Sequence, residues 1–195
     1  MVQSPTQDDE RQQAQEALAY IRQTMESAST FTALSGWGLV AVGVVGLGAA
    51  LLAWRSGVPE RLIAWLPAAV LGVLCAGVAN AMKAQRLQMP LWTGSLRKVA
   101  WVMAPALLAG AMLTWALDQA GARALMPGMW LALYGAGVTA GGTFSIRAVR
   151  WMGIALLLLG ALAFVDQRDA IIYLALGFGV FHLAFGLYIV KRHGG

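Results

Sequence analysis

The sequence predicts an all-α, polytopic membrane protein: a six-transmembrane-helix bundle with an N-terminal cytoplasmic amphipathic helix in front of it. Three observations predict this class. Hydrophobic residues make up 59% of the 195 and charged residues only 12%, against roughly 25% charged in ordinary soluble domains. The charges gather so as to leave six uncharged runs, 27–54, 62–82, 99–117, 124–146, 151–165 and 170–190. The lysines and arginines also alternate in density from one connection to the next, as the positive-inside rule produces in a multi-pass chain. A soluble helical core is excluded, because six such runs would leave almost nothing to face water.

Residues 1–30 are read as a cytoplasmic amphipathic helix and hinge, and residues 31–195 as the membrane domain. Ser4 serves as N-cap, Pro5 suits the first helical position and Gln7 completes a capping box. Ala14, Leu18, Ile21, Met25 and Ala28 then form one narrow apolar stripe. Five acidic residues outweigh Arg11 and Arg22 there, whereas helices that lie on lipid usually present basic faces. The stripe is therefore expected to dock on protein through Leu18, Ile21 and Met25. Its partner is this chain's own basic loop, a second copy, or another cytoplasmic or membrane protein. Residues 1–26 hold no apolar core of a secretory signal, so the first membrane helix is expected to act as the insertion signal.

Six helices follow, at about 34–54, 62–82, 99–117, 126–146, 149–166 and 170–190. A crossing takes about 20 apolar residues. Only the fifth run, at 15 residues, looks short; it must recruit Ala148 and Val149 and let Arg150 snorkel. Pro105 should kink the third helix or mark a gap filled by a neighbour. Between the second and third helices lies the longest loop, whose Arg86, Arg97 and Lys98 offer a basic docking surface at 83–98. The amino-terminal segment, the second and fourth loops and the tail carry ten basic residues and the opposite side four. That places both termini in the cytoplasm, and short loops with Ala/Gly richness point to a cell inner membrane. Trp37, Trp101 and Trp151 fall at inner ends, Trp92 in the inner loop, and Trp54, Trp65, Trp115 and Trp130 near outer ends. This reads as an aromatic belt.

The fourth helix is expected at the centre. Gly137 and Gly141 make a GxxxG pair on one face, while Gly135, Thr139 and Gly142 lie roughly opposite, with Thr143 beside them. Small residues let backbones approach, so a helix slim on two sides accepts neighbours on both.

Chemistry is sparse. An ionisable side chain inside a membrane helix is a functional candidate by default, and His182 in the sixth helix is the clear case. Gly179 and Gly186 flank it at helical spacing, which turns it toward protein. A hydrogen bond from His182 to Thr139 or Thr143 would satisfy both groups. The pair is then either one buried interhelical bond or a proton or ligand site of a transporter. Arg147 and Arg150 are an inner-boundary anchor or a lipid-phosphate contact. The lone Cys75 makes neither an internal disulfide nor a zinc cluster. No HExxH, GxSxG, Walker loop or glycine-rich dinucleotide fingerprint following a strand occurs, so neither enzyme, metal site nor cofactor is predicted. The formal charge of +5 reflects topology, with no soluble basic module for nucleic acid. The functional expectation is a regulatory or scaffold subunit that docks a partner through its amino-terminal helix and basic loop. The alternative is an oligomeric small-solute or proton transporter with its path near His182 and Thr139.

Overall fold

The computed structural model describes residues 11–13, 15–18, 20–21, 34–55, 65–86, 88 and 94–193. Met25, most of the basic loop between 86 and 94, and the hinge at 27–33 lie outside them. Nearly all described residues are helical and none forms a strand. Residues 11–13, 15–18 and 20–21 are helical, with Leu18, Tyr20 and Ile21 each more than half exposed. The main helices are α1 (Gly36–Arg55), α2 (Trp65–Arg86), α3 (Gly94–Gln119), α4 (Met126–Gly141) and α5 (Arg147–Val165). The last, α6, is continuous through an α-helical turn Ala170–Leu174, a π-helical stretch Ala175–Phe181 and a final α-helix His182–His193.

Five of these are long and apolar enough to cross a membrane: α1, α2, Arg97–Gln119 of α3, α5, and Ile171–Arg192 of α6. Of the six helices expected, α4 is the one not among these five, and α5 is longer than its uncharged run. Helix α5 starts at Arg147 and reaches 19 residues, so the run that looked short is long enough. Helix α4, expected over 126–146, stops after 16 residues, or about 24 Å at 1.5 Å per residue. Its C-terminal end tightens into a 3-10 turn, Gly142–Phe144, and Ser145 and Ile146 are extended before α5 begins. A second 3-10 turn, Arg123–Leu125, leads into it.

The packing follows from the glycines. Between lipid and protein there is no hydrophobic gain to hold helices together, so close van der Waals approach decides which pairs form. On α4, Gly128, Gly135 and Gly142 recur every seven residues, and so do Gly153 and Gly160 on α5. A Cβ built on Gly135 would lie 2.6 Å from Leu157 N, one on Gly160 2.6 Å from Ala132 N, and one on Gly142 2.7 Å from Arg150 N. Backbone meets backbone along the whole antiparallel pair. Helices α1 and α6 repeat the device with Gly36 and Gly43 against Gly186 and Gly179. A Cβ on Gly36 would meet Val190 N at 2.7 Å, and one on Gly186 would meet Val40 N at 2.8 Å. The other face of α4, with Gly137 and Gly141, receives Met103, Ala106 and Val99 of α3. Helix α2 packs on α1, where Gly38 faces Ala76 and Ala79.

The order around the bundle is therefore α2, α1, α6, α4 and α3, with α5 backing α4. Leu131, Leu156 and Ile189 are fully buried at its centre. Helices α2 and α3 share no extended interface with each other among the described residues. They form the two walls of a cleft.

One end of the bundle carries Lys83, Arg86, Arg147, Arg150, Lys191 and Arg192, and is here called the basic end. There the start of α1 is tied down by polar groups of α2. Ser35 Oγ accepts from Gly38 N at 3.2 Å as the helix N-cap. Asn80 Oδ1 accepts from Ser35 N at 2.7 Å, and Lys83 Nζ donates to Leu34 O at 3.1 Å. Lys83, read from the sequence as one more boundary cation, is a buried structural donor. Asn80→Leu leaves the Ser35 amide without that acceptor and should lower stability by about 1–3 kcal/mol. Asn80→Asp keeps the acceptor beside the Lys83 ammonium and should lose less. Thermal midpoints in mild detergent would check this, and equal midpoints for the two variants would refute it.

Candidate functional site

The polar centre of the bundle is built on α6 and α4. A π-helix closes i→i+5 bonds in a wider turn than an α-helix, and such turns often occur at functional sites. The π-helical stretch Ala175–Phe181 ends immediately before His182. His182 is completely buried. Its Nδ1 lies 2.8 Å from the carbonyl oxygen of Gly177, five residues back. A carbonyl only accepts, so Nδ1 carries the proton and donates. Nε2 of the neutral ring is then the acceptor, and Tyr134 of α4 donates its hydroxyl to it at 3.1 Å.

Aromatic rings pack around this bond. Phe178 stacks on the imidazole with centroids 5.8 Å apart and planes 19° from parallel. Tyr134 lies 5.2 Å from Phe178, and Trp65 of α2 lies 6.3 Å from it. The row Trp65, Phe178, His182, Tyr134 thus links three helices. Both His182 nitrogens are engaged, and the residue has no exposed surface. His182 is the hub of this cluster.

The sequence-predicted partners of His182 are elsewhere. Thr139 Oγ1 donates to Gly135 O at 2.7 Å, and Thr143 Oγ1 donates to Ala140 O at 2.6 Å. Each threonine satisfies its hydroxyl on the backbone of its own turn, and Tyr134 takes the role assigned to them. Gly179 faces Leu47 of α1 and Gly186 faces Val40. Arg147 and Arg150 are exposed at the start of α5. Arg97 and Lys98 are exposed at the start of α3, with Lys98 Nζ 5.7 Å from the Phe144 ring centroid. The structure thus gathers Arg97, Lys98, Arg147 and Arg150 at one end, separate from His182.

Beside the cluster lies the cleft between α2 and α3, a cavity of about 590 Å³. Tyr134 and Phe178 form its inner wall. Small and aliphatic residues line much of the rest, including Ala68, Ala69, Gly72 and Ala76 of α2 and Leu107 and Ala111 of α3, together with Trp65, Trp115 and Trp130. The far end is polar. Asp118 and Arg123 form an ion pair at 2.5 Å with both side chains nearly half exposed. Trp130 Nε1 donates to Thr114 Oγ1 at 2.9 Å, and Thr114 Oγ1 in turn donates to Gly110 O at 2.7 Å. The indole N–H of Trp65 is buried and has no hydrogen-bond partner among the described residues.

Sequence reasoning placed all tryptophans in a boundary belt. Trp37, Trp54, Trp101, Trp115 and Trp151 are more than half exposed, whereas Trp65 and Trp130 turn inward onto the cleft. The available signal was Gly110. A glycine one turn from Thr114 leaves room for the Trp130 ring, against which a Cβ at Gly110 would lie only 2.8 Å away.

Among the described residues no three His, Cys, Asp or Glu side chains converge as a metal site would need. No family model matches the chain, and no curated protein or solved structure does either.

Proposed function

We propose that this protein is a membrane-embedded regulatory or scaffold subunit that works by docking another protein at its basic end. In this reading α4, extended by its two 3-10 turns, is the sixth crossing, and both termini are cytoplasmic in a cell inner membrane. The supporting observation is the amino-terminal helical segment. Its Leu18 is 66% and its Ile21 52% exposed. An exposed apolar stripe of this kind is a surface that a protein partner covers. The acidic residues of this segment and the basic residues of the 83–98 loop give such a partner two surfaces of opposite sign.

The test is a pull-down from gently solubilised membranes, comparing the full chain with one lacking residues 1–28. We expect a stoichiometric partner that disappears on truncation. Identical co-purifying proteins in both samples would sink the docking reading.

A second reading, transport of a proton or small solute by an oligomer, has one observation in its favour. Tyr134 stands on the cavity wall with its hydroxyl on His182, so a titratable pair inside the bundle lies one ring away from whatever occupies the cavity. The path would then run by Tyr134 instead of Thr139.

A further inference from the structure

We propose that the cleft between α2 and α3 is a binding site for a single zwitterionic phospholipid, one acyl chain lying in the groove and the headgroup resting on Asp118 and Arg123. This inference is independent of whether the basic end docks a partner.

The length of the groove selects the occupant. Along α2 it runs from Leu66 to Ala76, and along α3 from Asp118 back to Leu107. At 1.5 Å per residue these are about 15–16 Å, which is half of a hydrocarbon core of about 30 Å. A transmembrane helix from a partner would need a groove of full depth. An acyl chain needs one leaflet. The volume of about 590 Å³ lies within the roughly 300–1,000 Å³ usual for small-ligand sites.

The chemistry along the groove agrees with its length. Ala69, Gly72 and Ala111 leave an apolar channel, and its inner wall is formed by Tyr134 and Phe178. An acyl chain suits that wall; a polar solute would find no partner on it, because the Tyr134 hydroxyl is already turned to His182. At the polar end Asp118 and Arg123 offer one negative and one positive group, each nearly half exposed. An ammonium and a phosphate on one headgroup complement the pair, and each retains a charge partner when the headgroup binds.

The test uses the full chain in vesicles of phosphatidylethanolamine, doped with a trace of the same lipid carrying a diazirine near the end of one acyl chain. After photolysis, labelled residues are mapped by mass spectrometry. Leu158 and Leu162, exposed on α5, report ordinary boundary lipid. We expect Tyr134 and Phe178 to be labelled at least fivefold above those two positions at low probe fraction. Ala111→Phe should abolish the excess without changing labelling at Leu158. Asp118→Asn, a change at the half-exposed rim and outside the core, should reduce it severalfold. A phosphatidylglycerol probe, which has no ammonium, should give less excess than phosphatidylethanolamine. Labelling of Tyr134 and Phe178 no greater than that of Leu158 overturns the proposal, as does an excess that survives Ala111→Phe. Disulfide cross-linking between two copies through cysteines placed at Ala69 and Ala111, with no excess lipid labelling, would assign the cleft to a second chain and equally overturn it. An excess indifferent to Asp118→Asn and to headgroup overturns the zwitterionic assignment.

Discussion

Gly135→Leu should prevent α4 and α5 from docking and leave little folded protein to purify. A Cβ at this position would stand 2.6 Å from Leu157 N, 2.9 Å from Gly153 O and 3.0 Å from Leu157 Cα. All three are backbone atoms, and none can step aside as a side-chain tip can. The helices must separate along their length, which forfeits the closest pairing in the bundle. Overpacking a well-filled core costs typically 1–3 kcal/mol; three backbone clashes at once put this change at or above about 3 kcal/mol. Gly48→Leu and Gly77→Leu are the controls, because nothing lies within 4 Å of a Cβ at either site. They should stay within about 0.5 kcal/mol of the parent. Size-exclusion profiles and thermal midpoints of all three in the same detergent are sufficient. A Gly135→Leu protein that elutes and melts like the Gly48→Leu protein would show that the α4–α5 contact is not what holds the bundle.

His182→Ala is the second large effect expected. It removes a completely buried ring, empties the space against Phe178, and strips partners from Gly177 O and the Tyr134 hydroxyl. Two unsatisfied groups at about 1–3 kcal/mol each, with a cavity added, put the loss at about 3–5 kcal/mol. Tyr134→Phe deletes one hydrogen bond and keeps the ring; interhelical bonds in membranes average only about 0.6 kcal/mol, so this protein should fold. It is therefore the better probe of mechanism. On the docking reading, vesicles containing Tyr134→Phe conduct protons no differently from those containing the parent. A parental proton conductance that Tyr134→Phe abolishes would move the conclusion to transport.

Much of this architecture was legible in the chain. Charge-free runs gave the helices to within a few residues, and the glycines of α4 gave a helix slim on two sides. What misled was the end of α4. Read as helical to residue 146, it put Thr139 near the depth of His182. The helix ends at Gly141, so Thr139 sits about 3 Å from its terminus, whereas His182 lies about 16 Å from the end of α6 at 1.5 Å per residue. Tyr134, further from the basic end than Thr139, is the residue at matching depth. The seven-residue glycine repeat on α4 and α5 was equally present in the sequence. A search for four-residue GxxxG spacing passes over it. The cleft was not legible, because whether α2 and α3 touch depends on how α1 and α4 carry them, and no pattern within either helix records that.

The pairing of α1 with α6 also sets an order of assembly. Helices α4 and α5 are neighbours in the chain and can close on each other as soon as both are made. Helix α1 is made earlier, yet the groove around Gly36 and Gly43 is filled only when Leu183, Gly186 and Val190 arrive. Until then its glycine face is open to lipid or to any other slender helix, a long wait at translation speeds of about 5–20 residues per second. A nascent chain arrested before α6 would therefore expose an adhesive helix, and this is the stage at which a chaperone or a membrane protease would recognise an unfinished copy.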